Sequence, residues 1–134
     1  MKRLHLDANV VLRFLRDDDP KQAPAARRLV GEANEGKITL ILSAVTVAEI
    51  FYALRASYKV PRTDIAALLI GLLRSGVLEV EHEQRLLDAF ARVQKANVDF
   101  GDAWLAATAA EAGEAVASFD ENFRGFPDVA WHRP

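Results

Sequence analysis

Apolar positions along this chain follow two alternating rhythms. Short runs rich in β-branched or alternating residues are followed by longer stretches in which apolar residues return about every three or four positions, the spacing of an amphipathic helix. No internal repeat or low-complexity segment interrupts the pattern. "RLHL", Arg3 to Leu6, predicts a strand, and "DANVVLRFLR" predicts a helix starting near Asp7 or Asn9. "DDDPKQAPAARRLVGEANEG" predicts a loop and then a helix entered through Pro20 and closed by Gly36, since Pro favours helix starts and Gly the position past a helix end. "ITLILS" is continuously apolar, as a strand buried on both faces should be. "TVAEIFYALRASY" predicts a helix, and "RTDIAALLIGLLRSG" another, capped by Thr63 and stopped by Gly76. "VLEVE" predicts a strand and "EQRLLDAFARVQKA" a long helix, followed by the Ala-rich helix of "NVDFGDAWLAATAAEAG". "AVASF" predicts a strand before the turn "DENFRGF", and "DVAW" a last short strand.

Strands alternating with helices predict one α/β domain over residues 1–134, with a mainly parallel central sheet flanked by helices on both faces. In such sheets the C-terminal strand ends, and the helix starts that follow them, gather along one edge where ligands bind. Asp7 follows the first strand, Glu49 lies in the first turns after "ITLILS", and Asp120 follows "AVASF", so all three are expected at that edge. Asp102 opens a helix without a clear preceding strand. Its neighbour Asp99 lies three residues away, which predicts that both carboxylates share one helical face, continued inward by Ala106, Ala109 and Ala110.

Each of these acids also has an ordinary structural explanation. Asp7 and Asp99 can cap helices and Asp102 can sit favourably at a helix dipole. "TVAE", Thr46 to Glu49, matches a capping box, and Asp120 can cap the turn "ENF". Taken as a set they are harder to explain this way, because clustered carboxylates repel one another unless a cation sits among them. Oxygen-only ligation suits Mg²⁺ or Mn²⁺ rather than a soft metal.

Composition sharpens this. The 134 residues suffice for one core, and 51% are hydrophobic, which leaves apolar surface for a partner. Cys is absent, which excludes disulfides and thiolate metal sites and fits a reducing cytoplasm. The longest apolar run, "IAALLIGLL", is too short to span a bilayer, and the first residues hold no signal-peptide pattern, so no membrane association is expected. The net charge of −2 gives no overall basic footprint for nucleic acid. If a phosphodiester is the substrate, another cation must neutralise it.

"LHLDANVVLRFLRDDDP", the Glu of "TVAEI", "DFGDAWLAA" and "SFDENF" together resemble, in order and over nearly the whole chain, the successive motifs of PIN domain ribonucleases, specifically the VapC type toxins of bacterial and archaeal toxin–antitoxin pairs. The resemblance implies a PIN-like fold in which Asp7, Glu49, Asp102 and Asp120 are both metal ligands and catalytic acids, with Asp99 as a supporting acid. Asn9 matches the polar residue after the first acid and Ser118 a small hydroxyl before the last. Ala8 stands where many members have Thr or Ser, which puts one secondary hydrogen bond in doubt. It further implies one or two Mg²⁺ ions, with Mn²⁺ as a substitute, that activate water for in-line attack on RNA. A homodimer and a cognate VapB-like antitoxin follow from the same likeness. Arg13 and Arg16, about one turn apart after Asp7, are candidate RNA contacts.

His5, His82 and His132 lack metal-ligand spacing, and no nucleophile elbow, P-loop or dinucleotide-binding glycine motif is present. Two other classes stay open at the level of sequence. An aspartate-dependent phosphatase also places an Asp after its first strand, although its usual second Asp two residues on is here Asn9. A non-catalytic interaction domain would use the acids only as caps.

Overall fold

The computed structural model describes residues 2–134, which form six α-helices and five short strands. Strands β1 (Lys2–His5), β2 (Ile38–Leu42) and β3 (Leu78–Val80) make one parallel sheet in the order β1-β2-β3, with Leu4 opposite Leu40 and Leu40 opposite Leu78. Strands β4 (Ala115–Ala117) and β5 (Ala130–His132) pair with each other, also in parallel. Every pairing is therefore parallel, as the alternation of strand and helix requires. The expected central sheet is nonetheless small and divided into two sheets, one of three strands and one of two, with only three residues each in β4 and β5.

Six helices connect and cover these strands: α1 (Ala8–Arg16), α2 (Gln22–Asn34), α3 (Ala44–Ala56), α4 (Arg62–Leu73), α5 (Glu83–Ala96) and α6 (Phe100–Ala112). A 3₁₀ turn, Glu121–Gly125, follows β4. Leu40 and Leu42 of β2 are fully buried, whereas the intervening Ile41 is only half covered.

Several helix ends differ from the sequence expectation for local reasons. Helix α2 begins after Pro20, at Gln22, because the Asp19 carboxylate accepts hydrogen bonds from the backbone N–H groups of Lys21 and Gln22. Those two bonds hold Asp19 below its usual carboxylate pKa. Helix α3 starts two residues before Thr46, since Ser43 directly after β2 is the cap and its hydroxyl accepts from the Thr46 N–H at 3.1 Å. Pro61, not Thr63, precedes α4, and its extended backbone carries no side-chain cap bond. Gly113 closes α6 with φ 68°, a left-handed conformation that glycine adopts without a Cβ penalty.

The core is a connected aromatic series spanning three helices. Phe51 of α3 lies 6.3 Å from Phe90 of α5 and 6.0 Å from Phe100 of α6, and Phe90 and Phe100 are 5.2 Å apart. Phe51 and Phe90 are fully buried, and Ala103, Ala106 and Ala107 let α6 approach closely enough to cover them. Among the described residues no polar or charged side chain is buried, so every candidate acid stands at the surface. No helix is long and apolar enough to cross a membrane, again among the described residues.

Candidate functional site

Asp7 leaves β1 through Leu6, whose backbone N–H still donates to the Ile41 carbonyl at 2.9 Å, and occupies the N-cap position of α1. Its backbone is extended, as a capping residue's should be, yet its carboxylate makes no cap hydrogen bond. Ala8 turns its methyl into the core, while Asn9 faces outward. The hydroxyls near Asp7 come instead from α3: Thr46 Oγ1 donates to the Leu6 carbonyl at 3.4 Å and receives Ser43 Oγ at 3.0 Å.

Because Ser43 is the cap, the capping-box reading of Glu49 fails in register. Glu49 is the sixth residue of α3, well past the turn where it could reach back to a cap residue's N–H. It is exposed, and among the described residues neither its carboxylate nor that of Asp7 has a hydrogen-bond or ion-pair partner.

Asp102 is brought to this end of the fold by a contact that sequence reasoning missed. Tyr52, one turn beyond Glu49 on α3, accepts the Gly101 N–H with its hydroxyl at 3.0 Å. A Cβ at position 101 would stand 3.1 Å from that oxygen, so glycine permits the close approach. The visible signal was a glycine in the first turn of an otherwise Ala-rich helix.

Asp99 and Asp102 do not share a face. Asp99 is the extended N-cap residue of α6, outside the helical spiral, and its carboxylate turns toward α4 to accept Arg62 Nε at 2.8 Å. Arg62 also donates to the Asn97 carbonyl, which fixes the loop before α6. Asp99 thereby ties two helices together.

Asp102 points the other way, to Asn122. The Asn122 side-chain amide nitrogen donates to Asp102 Oδ2 at 3.1 Å and to Asp120 Oδ2 at 3.3 Å, so two carboxylates from distant parts of the chain meet at one donor. Asp120 also caps the 3₁₀ turn as expected, its Oδ1 accepting the Asn122 backbone N–H at 2.9 Å. Ser118 fixes the preceding backbone by accepting the Asp120 N–H at 2.9 Å. Asn122 is the second residue this reading did not anticipate, and the tripeptide Asp120-Glu121-Asn122 was its only local trace.

Arg13 and Arg16 both have protein contacts. Arg13 Nε donates to Gln22 Oε1 at 2.6 Å, holding α1 to α2, and the Arg16 guanidinium lies 4.6 Å from the centre of the Tyr58 ring. A groove of about 360 Å³ between α1 and α2 is lined by Asn9, Val10, Arg13 and Leu29.

The structure thus joins Asp102 with Asp120 and leaves Asp7 and Glu49 unpartnered on neighbouring elements. Among the described residues, no three Asp, Glu or His side chains converge closely enough to enclose a metal ion. The donor set still fits a hard divalent cation: it is all oxygen, and among the described residues no Lys or Arg pairs with any of the four carboxylates and no hydrogen bond holds the side chains of Asp7 or Glu49. Nearby cations are taken by other acids, Arg62 by Asp99 and Arg133 by Glu121. A family model describing the PIN domain matches residues 4–129. No curated protein matches the chain.

Proposed function

The chain belongs to the PIN domain family, and from that membership we propose that it is an Mg²⁺- or Mn²⁺-dependent endoribonuclease acting as the toxin of a toxin–antitoxin pair. PIN domains are generally metal-dependent nucleases that use divalent ions. The observation that carries the reading is the meeting of Asp102 and Asp120 at the Asn122 amide, together with two carboxylates, Asp7 and Glu49, that have no hydrogen-bond or ion-pair partner among the described residues.

Asp7, Glu49, Asp102 and Asp120 would hold the ion through hard oxygen donors. When bound, the ion supplies a Lewis acid for a phosphate oxygen and lowers the pKa of a water nucleophile. The chain's own residues prepare that site. Asn122 offsets the repulsion between Asp102 and Asp120 with two hydrogen bonds, and Ser118 sets the backbone that aims Asp120. Tyr52 holds the start of α6 against α3, which fixes the backbone of Asp102 relative to that of Glu49. Ordering Glu49 costs up to about 2 kcal/mol of side-chain freedom, which direct ligation of the ion must offset. Arg13 keeps further guanidinium nitrogens beyond its Gln22 bond for a phosphate, and Arg16 lies one turn on.

Partner binding draws support from apolar surface. Val45 and Tyr52 on α3, Leu68 on α4 and Leu105 on α6 are exposed, more than helices serving only one core need. We assign these faces to a homodimer and the α1–α2 groove to a segment of a cognate VapB-like antitoxin, in a cytoplasmic setting. Purified protein incubated with structured RNA and Mn²⁺ should cut it, and chelator or Asp7→Asn should each abolish cutting while circular dichroism stays unchanged. Cleavage that survives both treatments overturns the assigned site.

A further inference from the structure

Phe119 stands between two residues of the site and does nothing for the fold. It is 71% exposed, makes no ring contact among the described residues, and lies between Ser118 and Asp120. Its backbone is nevertheless held on both sides. Ser118 Oγ accepts the Asp120 N–H, and Asp120 Oδ1 accepts the Asn122 N–H, giving two consecutive side-chain turns. An exposed aromatic ring on a fixed backbone loses little further freedom on binding.

Trp131 is anchored to the same loop. Its Nε1–H donates to the Ser118 carbonyl at 2.9 Å, and the Ser118 N–H donates to the His132 carbonyl at 3.1 Å. Two guanidinium groups flank the Trp131 ring, Arg124 at 5.4 Å and Arg133 at 5.9 Å from its centre. Both arginines are exposed, and both lean on one carboxylate, Glu121, at 3.7 Å and 3.2 Å. Exposed ion pairs of this kind are worth about 0–1 kcal/mol, so a phosphate can displace Glu121 from either arginine.

We propose that Phe119, Arg124 and Arg133 form a single-stranded RNA platform beside the acids, Phe119 stacking on an unpaired base and the two arginines holding the adjoining phosphates. The inference rests on the nuclease reading for its choice of ligand and adds the part of the surface that grips the strand. Aromatic rings accept any unpaired base on their faces, and duplex RNA hides those faces. With an overall charge of −2, strand binding must come from local cationic groups such as this pair. Glu121 acts as a competitor for the same two arginines, which gives the proposal an outcome of unusual sign.

Binding and cutting are measured separately. In chelator, fluorescence anisotropy of a labelled single-stranded RNA should report binding by the wild type, and weaker binding of the same RNA annealed to its complement. Phe119→Ala should weaken single-strand binding between about fivefold and about a hundredfold. The double variant Arg124→Gln/Arg133→Gln should flatten the slope of log affinity against log salt by about 1.4. Glu121→Gln, which removes both ion pairs, should tighten binding. Circular dichroism and melting of each variant check that the fold is kept. Wild-type affinity in both Phe119→Ala and the arginine double variant overturns the platform, as does a wild type that binds no single-stranded RNA. A Phe119→Ala variant that becomes monomeric while its RNA affinity is unchanged overturns it too, assigning the ring to a second copy of the chain. Loss of binding in the variants upholds the platform even if the wild type with Mn²⁺ cuts nothing, a result that would overturn only the nuclease reading.

Discussion

The two aspartates at the start of α6 show how three residues of sequence separate two fates. Asp99, in extended conformation, is drawn to Arg62, whereas Asp102, inside the helix, reaches Asn122 and through it Asp120. Their responses to metal should differ accordingly. A divalent ion that binds only the folded protein stabilises it by about 2.7 kcal/mol at a hundredfold excess over its dissociation constant, several degrees in melting temperature for a domain of this size. Asp102→Asn should abolish most of the Mn²⁺-induced rise, while Asp99→Asn should keep it and start from a slightly lower baseline, its exposed ion pair being worth no more than about 1 kcal/mol. Melts at matched ionic strength decide this, and an equal Mn²⁺ response in wild type and Asp102→Asn returns Asp102 to an ordinary helix-start role. Asp102 had no preceding strand to place it, whereas Asp7 and Asp120 were legible as edge residues because each follows a strand. Asn122 and Tyr52 were not, since their contacts to residues 102 and 101 reach across the fold and leave no periodic trace.

At the scale of elements, the alternation of rhythms sufficed to locate all six helices and all five strands, and the discrepancies lie at their ends. "SAVTVAE" contains two hydroxyl residues that could open α3, of which only Thr46 has an acid three residues on. Strand β2 decides between them: it ends at Leu42, so the chain must turn at Ser43, and that hydroxyl takes the cap. Thr63 was displaced similarly, because Pro61 supplies the fixed extended-to-helix geometry before α4. Ser43→Ala should therefore destabilise the protein by about 0.5–2 kcal/mol, and Thr63→Ala by no more than about 0.5 kcal/mol. Urea titrations of both variants test the assignment, and a larger loss for Thr63→Ala reverses it. The division of the sheet was not readable from sequence at all, because hydropathy identifies strands without naming their neighbours.

For the whole molecule, the segment that carries Asp120 is fastened to the rest by buried Val116, Phe123, Phe126 and Val129 and by polar contacts, one of which titrates. Arg92 of α5 grips Asp128 with two hydrogen bonds, 2.8 Å and 2.6 Å, while the Arg92 guanidinium also lies 5.5 Å from the centre of the Phe126 ring. The hydrogen bond from Arg92 holds the Asp128 carboxyl below its usual pKa. A depressed carboxylate pKa favours the folded state above the unfolded value of about 3.9 and loses that advantage as pH falls through the lower folded value. The stability difference between wild type and Asp128→Asn should accordingly stay level from neutral pH to about pH 5 and close below about pH 4. Urea titrations across that range measure it, and a gap that persists undiminished in strong acid removes the ion pair from the account. The same fastening sets an order in time. Asp7 and Glu49 belong to β1–α1 and β2–α3, which leave a ribosome adding about 5–20 residues per second before the Asp120 loop does, and that loop gains its bonds to Trp131 and His132 only once β5 has been made. A nascent chain can thus pair β1 with β2 and β3 and bury its aromatic helices before Asp120 has a fixed place, so the candidate site is completed only after the elements that carry Asp7, Glu49 and Asp102.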